Sequence, residues 1–225
     1  MAEEIPQLTT YPAADEADQI ASLKLIADSV AQQRQLAARS VIFHPVSVGV
    51  AMVPLAVAYR ILYKTRGDWP LILTTWAGCV MALLLAVRYL TGGYIDEAER
   101  VGTWKWLNTA TTTATDTGAG FDSTKSTMLV TKFGENIIGT LVLAEQKKQT
   151  GVIRAWTVKQ RYRGKGVGRD LLEEAVKFCR DKGWEGPVFD DEHANSARVL
   201  PGMFNGGFDG GEKRAREMLA GLQST

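Results

Sequence analysis

The chain has 225 residues, 26 basic against 25 acidic, and a net charge of +1. That length allows one domain of ordinary size, or one domain carrying an insertion. The charge balance does not propose nucleic acid as a partner. The two cysteines, Cys79 in an apolar run and Cys179 on a helix face, imply no disulfide or metal framework and point to a reducing, cytosol-facing setting.

In chain order, Ile5 to Thr10 reads as a short strand. Ala14 to about Arg34 reads as a helix, with Ile20, Leu23, Ile26, Ala27 and Val30 at helical spacing and acids at its start. No cleavable leader pattern, a basic stretch followed by an apolar core, is expected at the N-terminus. From Val41 the character changes. Val46–Tyr63 and Leu71–Val87 are two apolar runs separated by the polar turn Lys64-Thr65-Arg66-Gly67-Asp68. Crossing a bilayer takes about 20 apolar residues, with a range of roughly 17 to 25. Arg60 and Arg88 can snorkel from near the run ends, and Tyr59, Tyr63, Trp69 and Tyr89 suit an interface. A transmembrane hairpin is therefore expected, with a pair of buried core helices as the alternative.

Tyr94 to Asn108 continues as an amphipathic helix, in which Trp104 and Trp106 suit either a membrane surface or a core. Thr109 to Ser126, rich in Thr, Gly and Asp, reads as a loop. Thr127–Phe133 and Ile137–Ala144 are two strands joined through Gly134-Glu135-Asn136, and Gly151–Val158 is a third, buried one. A helix from Arg169 to Lys182 follows, with Leu171, Leu172, Ala175, Val176, Phe178 and Cys179 on one face and Gly183 as its stop. Pro187–Asp190 reads as a strand, Ala194–Leu200 as a short helix and Gly211–Leu222 as a charged helix.

Between the strand ending at Val158 and the Arg169 helix lies Lys159-Gln160-Arg161-Tyr162-Arg163-Gly164-Lys165-Gly166-Val167-Gly168. Strand, glycine-rich turn and helix N-terminus together make a phosphate cradle. Glycines let the backbone approach, successive N–H groups converge, and the helix dipole favours an anion. Arg163, Lys165 and Arg169 add positive charge. The spacing is not that of a nucleotide P-loop, since Gly164-Lys165 is followed by Gly166 rather than Ser or Thr. Nor is it a dinucleotide fingerprint, since the third glycine comes one residue early.

Arg163, Gly166 and Gly168 instead occupy the three defining positions of Arg/Gln-x-x-Gly-x-Gly/Ala, and the stretch resembles the acetyl-CoA loop of the GNAT acetyltransferase superfamily. The resemblance implies an α/β fold of the α+β mixed-sheet kind, the GNAT acyl-CoA N-acyltransferase fold with an inserted two-helix transmembrane hairpin. Residues 1–40 would begin that domain, 41–91 form the hairpin, 94–210 the acetyltransferase core and 211–225 a tail helix. It further implies that acetyl-CoA is bound by Thr157, Val158, Arg163, Gly164, Lys165, Gly166, Val167, Gly168 and Arg169. Backbone N–H groups of the Thr157–Val158 strand would polarise the thioester carbonyl, and an amine, small molecule or protein, would accept the acetyl group.

The N-terminal helix, Val41-Ile42-Phe43-His44-Pro45 and the two apolar runs are similar to one branch of that superfamily. Its members are endoplasmic-reticulum membrane N-acetyltransferases acting on cysteine S-conjugates or aspartate. The branch implies contact with a lipid bilayer through residues 46–63 and 71–87, the catalytic part facing the cytosol. His44 is assigned no chemistry. The pattern departs from the superfamily where a tyrosine acid is often found five residues before a Gly-Phe phenylalanine. Counting back from Phe208 gives Met203, beside Phe204, and neither donates a proton. The cluster Asp190, Asp191, Glu192 and His193 is a candidate for a base or for a solvated loop. Asn195 sits one residue too far from Phe208 for a coenzyme-contacting asparagine. No catalytic residue is assigned, and the alternative to an enzyme is an inactive membrane module of the same fold that binds coenzyme A or a partner.

Overall fold

The computed structural model describes residues 7–108, 126–146 and 149–224. The expected Thr109–Ser126 loop, but for Ser126, lies outside them. The chain divides into two compact units. One comprises residues 1–32, 95–197 and 210–225, and the other residues 33–94 and 198–209.

The first unit is built on a five-stranded sheet of β1 (Leu8–Pro12), β2 (Ser126–Phe133), β3 (Asn136–Gln146), β4 (Thr150–Val158) and β5 (Glu185–Phe189), in that spatial order. The first four strands are antiparallel, and β5 runs parallel to β4. That parallel pair needs a crossover, which α6 (Val167–Lys182) provides. The sheet's middle strands read as continuous apolar runs because both faces are covered. On one face the first part of α1 (Glu16–Ile42), α4 (Gly93–Val101) and α5 (Trp104–Asn108) contribute Leu23, Ile26, Val30, Ala98, Val101 and Trp106. On the other, α6 and α7 (Gly206–Gln223) contribute Leu171, Leu172, Val176, Cys179 and Leu219.

One irregularity sets the geometry of β4. Val142 of β3 pairs with Ala155 and Leu143 with Ile153, so Arg154 is an extra, bulged residue. The bulge reverses the side-chain alternation. Ile153 packs towards α6 and Ala155 towards α1, although the two are only two residues apart. Pairing of β4 with β5 ends at the same level, with Ile153 opposite Phe189. Two further bonds, Asp190 N to Ile153 O (3.0 Å) and Ala194 N to Arg154 O (2.8 Å), close that edge. Beyond Arg154 the outer edge of β4 has no strand partner among the described residues.

Several expected boundaries move. α1 runs eight residues further than its apolar spacing suggests, because Ala37 and Val41 continue the buried stripe. The expected Tyr94–Asn108 helix is two helices. Gly102 ends the first against α1, where an added Cβ would lie 2.9 Å from the Ala27 methyl. The Thr103 hydroxyl then caps the second by accepting Trp106 N at 3.2 Å. Trp106 is core and Trp104 partly exposed. Ala194–Leu200 is not a helix. Its N–H groups go elsewhere, Ala194 N to β4 and Ser196 N to His193 O (2.8 Å). The C-terminal helix starts earlier than expected, at Gly206.

In the second unit α2 (Pro45–Leu62) and α3 (Trp69–Leu90) form an antiparallel pair joined by a turn whose Asp68 carboxylate accepts Thr65 N at 2.6 Å. α2 buries none of its residues, and α3 buries Ile72 and Val87. His44 caps α2, its Nδ1 accepting Val46 N at 3.3 Å. The second part of α1, the end of α3, the start of α4 and residues 198–209 share a small core of Ala37, Val41, Val87, Tyr94 and Leu200.

Candidate cofactor-binding site

The end of β4 is fixed by Lys159 N, which donates to Ile138 O at 2.7 Å. Antiparallel alternation then aims the backbone groups of Thr157, paired with Thr140, at β3, and those of Trp156 and Val158 at the unpaired edge. This corrects the expectation for Thr157. Its N–H is committed to the ladder and its side chain is buried, so only Val158 and Trp156 can offer an N–H to a ligand on that edge.

After β4 the chain makes a 3-10 turn, Gln160–Tyr162, and enters the glycine stretch. Arg163, expected to add its charge to the cradle, gives its guanidinium two protein partners. It folds back, Nε donating to Val158 O at 2.8 Å and Nη2 to Gln32 Oε1 at 3.3 Å. Burial of the guanidinium lowers its pKa, and it stays protonated. Arg163 thus ties the loop to the end of β4 and to α1.

The three glycines serve different ends. Gly164 (φ 76°) and Gly166 (φ 91°) adopt left-handed backbone that a Cβ disfavours. Gly168 has ordinary backbone, but its Cα lies against the Trp156 indole, whose Nε1 donates to Gly168 O at 3.0 Å. An added Cβ would be 2.9 Å from Trp156 Cζ2. Helical bonding begins only with Arg169 N and Asp170 N, both donating to Gly166 O, at 2.8 and 3.1 Å. The N–H groups of Lys165, Gly166, Val167 and Gly168 make no hydrogen bond among the described residues. They form the open N-terminus of a 16-residue helix, the arrangement that receives a phosphate. The exposed side chains of Lys165 and Arg169 supply positive charge, and the Lys165 ammonium rests 5.6 Å from the centre of the Tyr162 ring. The donor set fits a pyrophosphate.

The polar cluster after β5 is a structured turn. Glu192 N donates to Asp190 Oδ1 (3.2 Å), and Asp191 pairs with Arg216 (3.4 Å). His193 packs edge-on against Phe189, with ring centres 5.9 Å apart. Its Nδ1 accepts Asn195 N at 3.2 Å, which leaves the neutral ring's proton on Nε2, 4.0 Å from Glu212 Oε1. Glu212 is in turn held by Arg216 at 2.8 Å.

Sequence reasoning missed Arg154, Trp156 and Gln32. Arg154 is buried at the bulge, donating to Trp106 O (2.9 Å) and Leu107 O (3.0 Å) with its guanidinium 4.8 Å over the Trp106 ring. Burial lowers its pKa, and the charge of Asp190 opposes that shift. The signal was available, since Arg154 is the one charged residue in an otherwise apolar strand. A groove of about 500 Å³ between α1 and α4, lined in part by Ile20, Leu23, Ala98 and Trp104, has no lining residue from the cradle.

Residues 93–196 match the family model for the acetyltransferase (GNAT) family. No curated protein matches the chain. Among solved structures, IAA acetyltransferase from Bacillus cereus ATCC 14579 is 32% identical, over 28% of this chain and 41% of that one, with a TM-score of 0.26. A GNAT-family acetyltransferase from Staphylococcus aureus MU50 is 20% identical over 30% and 44% of the two chains, with a TM-score of 0.28. PaiA N-acetyltransferase from Thermoplasma acidophilum, in complex with coenzyme A, is 15% identical over 79% and 75%, with a TM-score of 0.27. The chain thus spans less than half the length of the first two. The segment that carries the β4–α6 cradle, residues 93–196, matches the acetyltransferase (GNAT) family, whose members use acetyl-CoA.

Proposed function

We propose that the chain is a membrane-anchored N-acetyltransferase that moves acetyl from acetyl-CoA to an amino group of a small molecule or protein. One observation carries this reading. Four successive free N–H groups, Lys165 to Gly168, lie at the start of α6, beside the unpaired edge of β4. The pyrophosphate would rest on those N–H groups, with Lys165 and Arg169 beside it. Val158 N–H, aimed at the same edge, would donate to the thioester carbonyl oxygen. Acetyl-CoA supplies the activated acyl group. In the transfer a C–N bond forms as the C–S bond breaks, the amine gives up a proton and the departing thiolate gains one. Calorimetry tests the reading. Millimolar acetyl-CoA that gives no binding heat overturns it, and turnover on a panel of amines, cysteine conjugates, aspartate, polyamines and peptides among them, would identify the acceptor.

The anchor in this reading is the α2–α3 pair. At about 1.5 Å per residue the two helices are roughly 27 and 33 Å long, against a hydrocarbon layer of about 30 Å. Val50, Met52, Val53, Val57, Leu73, Met81 and Leu85 are among their exposed side chains. Three polar groups of α3 have partners, as lipid requires: Trp76 Nε1 donates to Leu55 O at 2.9 Å, and the Thr74 and Thr75 hydroxyls to Leu71 O. Tyr59, Tyr63 and Trp69 pack together at the turn, where aromatic rings favour an interface. The placement we propose is the endoplasmic reticulum, residues 1–40 and 94–225 facing the cytosol. In sealed microsomes, protease should cleave tags at both termini and spare one at Gly67.

A second reading, an inactive module that retains coenzyme binding, is favoured by one observation. The Nδ1 of His193 is taken by Asn195 N, and Met203 and Phe204 stand where an acid was sought. Coenzyme binding without turnover on the whole panel would select it.

A further inference from the structure

We infer that residues 198–209 are themselves a membrane-contacting element, which lies in the headgroup boundary of the bilayer beside the root of the α2–α3 pair. The inference rests on the membrane reading above and adds a surface to it. This segment contains no apolar helix of its own, so nothing in its sequence proposes contact with lipid. Its tethers do. The Ser40 hydroxyl, in the last turn of α1, donates to Phe204 O at 2.6 Å. The His44 ring, which caps α2, packs edge-on against Phe204 with centres 4.9 Å apart. Leu200 is buried with Val41 and Val87, the residues that flank the start of α2 and the end of α3. Asn205 Nδ2 donates to Leu200 O at 3.0 Å and closes the segment on itself. A segment fixed in this way to the start of α2 and the end of α3 stays at the level where those helices would enter the bilayer.

The side chains around that level suit a headgroup boundary. Met203 is 61% exposed, Phe43 72% and Tyr89 87%, with Leu36, Leu90 and Val199 exposed as well. Exposed apolar and aromatic groups of this density mark an interaction surface rather than ordinary solvent-facing protein. The charges choose the partner. Among residues 33–45, 87–94 and 198–209 the cations are Arg34, Arg39, Arg88 and Arg198, and the only carboxylate is Asp209, which pairs with Arg198 at 3.1 Å. Apolar side chains rimmed by arginine fit the acyl–headgroup boundary of an anionic bilayer, where the apolar groups enter and the guanidinium groups meet phosphate.

The test places an environment-sensitive dye at Met203→Cys in the full chain, reconstituted in vesicles of phosphatidylcholine and phosphatidylserine. Cys79→Ala removes the hairpin thiol. Cys179 can remain, since it is fully buried and its thiol pKa is pushed up to about 11. Val53→Cys, in the middle of α2, is labelled in parallel. The expected result at residue 203 is a blue-shifted emission, loss of quenching by aqueous iodide, and quenching by lipid brominated near the headgroup. At residue 53 quenching should come from lipid brominated deep in the chain. A water-like signal at 203 with a lipid signal at 53 overturns this inference and leaves the anchor standing. Water-like signals at both positions overturn the anchor and this inference together. Because Met203 is exposed, its replacement does not disturb the core.

Discussion

Gly168→Ala is the perturbation that tests most directly why the cradle has its shape. The new methyl would lie 2.9 Å from Trp156 Cζ2 and 3.5 Å from both Trp156 Cε2 and Val158 Cγ2. The indole cannot easily move aside, because Nε1 is bonded to Gly168 O and the ring packs against Phe189 with centres 5.9 Å apart. Overpacking of a filled site costs about 1–3 kcal/mol. At roughly 2–4 °C per kcal/mol for a chain of this size, the melting temperature should fall by about 2–12 °C. Relief comes by shifting the first turn of α6 away from β4, which displaces the N–H groups of Val167 and Gly168. Acetyl-CoA should therefore bind about tenfold more weakly, or worse, since 1.4 kcal/mol is a factor of about ten. Trp156→Leu removes the ring that the methyl strikes. Scanning fluorimetry and calorimetry on the two single variants and the double variant complete a cycle. The double variant should be better than the sum of the singles by about 1 kcal/mol or more. Strict additivity, within about 0.5 kcal/mol, would refute the claim that closeness to Trp156 is what requires glycine here.

Arg163→Ala and Arg163→Lys should both weaken acetyl-CoA binding in calorimetry, lysine failing to rescue because one ammonium cannot span Val158 O and Gln32 Oε1. Gln32→Ala should have the smaller effect, since it removes the longer of the two bonds. Arg154→Met leaves two carbonyls without their buried donors and should lower stability by about 2–4 kcal/mol in denaturant melts, with Arg154→Lys only partly restoring it. The Cys179 thiol, raised from 9.0 to about 11 by burial, binds its proton more tightly in the folded chain. Its contribution to stability is therefore full below about pH 9 and declines as pH rises towards 11. Relative to Cys179→Ala, the unaltered chain should lose up to about 2 kcal/mol across that window, and a constant difference would count against the burial argument.

The sequence by itself determined the local pieces. Apolar alternation, helical spacing and glycine punctuation located most of β2, β3, β4, α2, α3 and α6 to within a few residues, because those signals are written in neighbouring positions. They also located the cradle, since a strand, Gly164, Gly166, Gly168 and a helix start are consecutive in the chain. What only the tertiary structure decided depends on partners distant in sequence. Gly102 breaks a helix because Ala27 of α1 comes close to it. Residues 194–200 decline a helix because Ala194 N finds Arg154 O on β4. The backbone of Thr157 turns from the open edge because the ladder with Thr140 fixes its direction. Arg163, counted as a free cation in the sequence, is held against Val158 O and Gln32, 131 residues away in the chain. Composition and spacing report which groups a segment offers; which of them remain open to a ligand depends on the hydrogen bonds and close contacts that folding uses up.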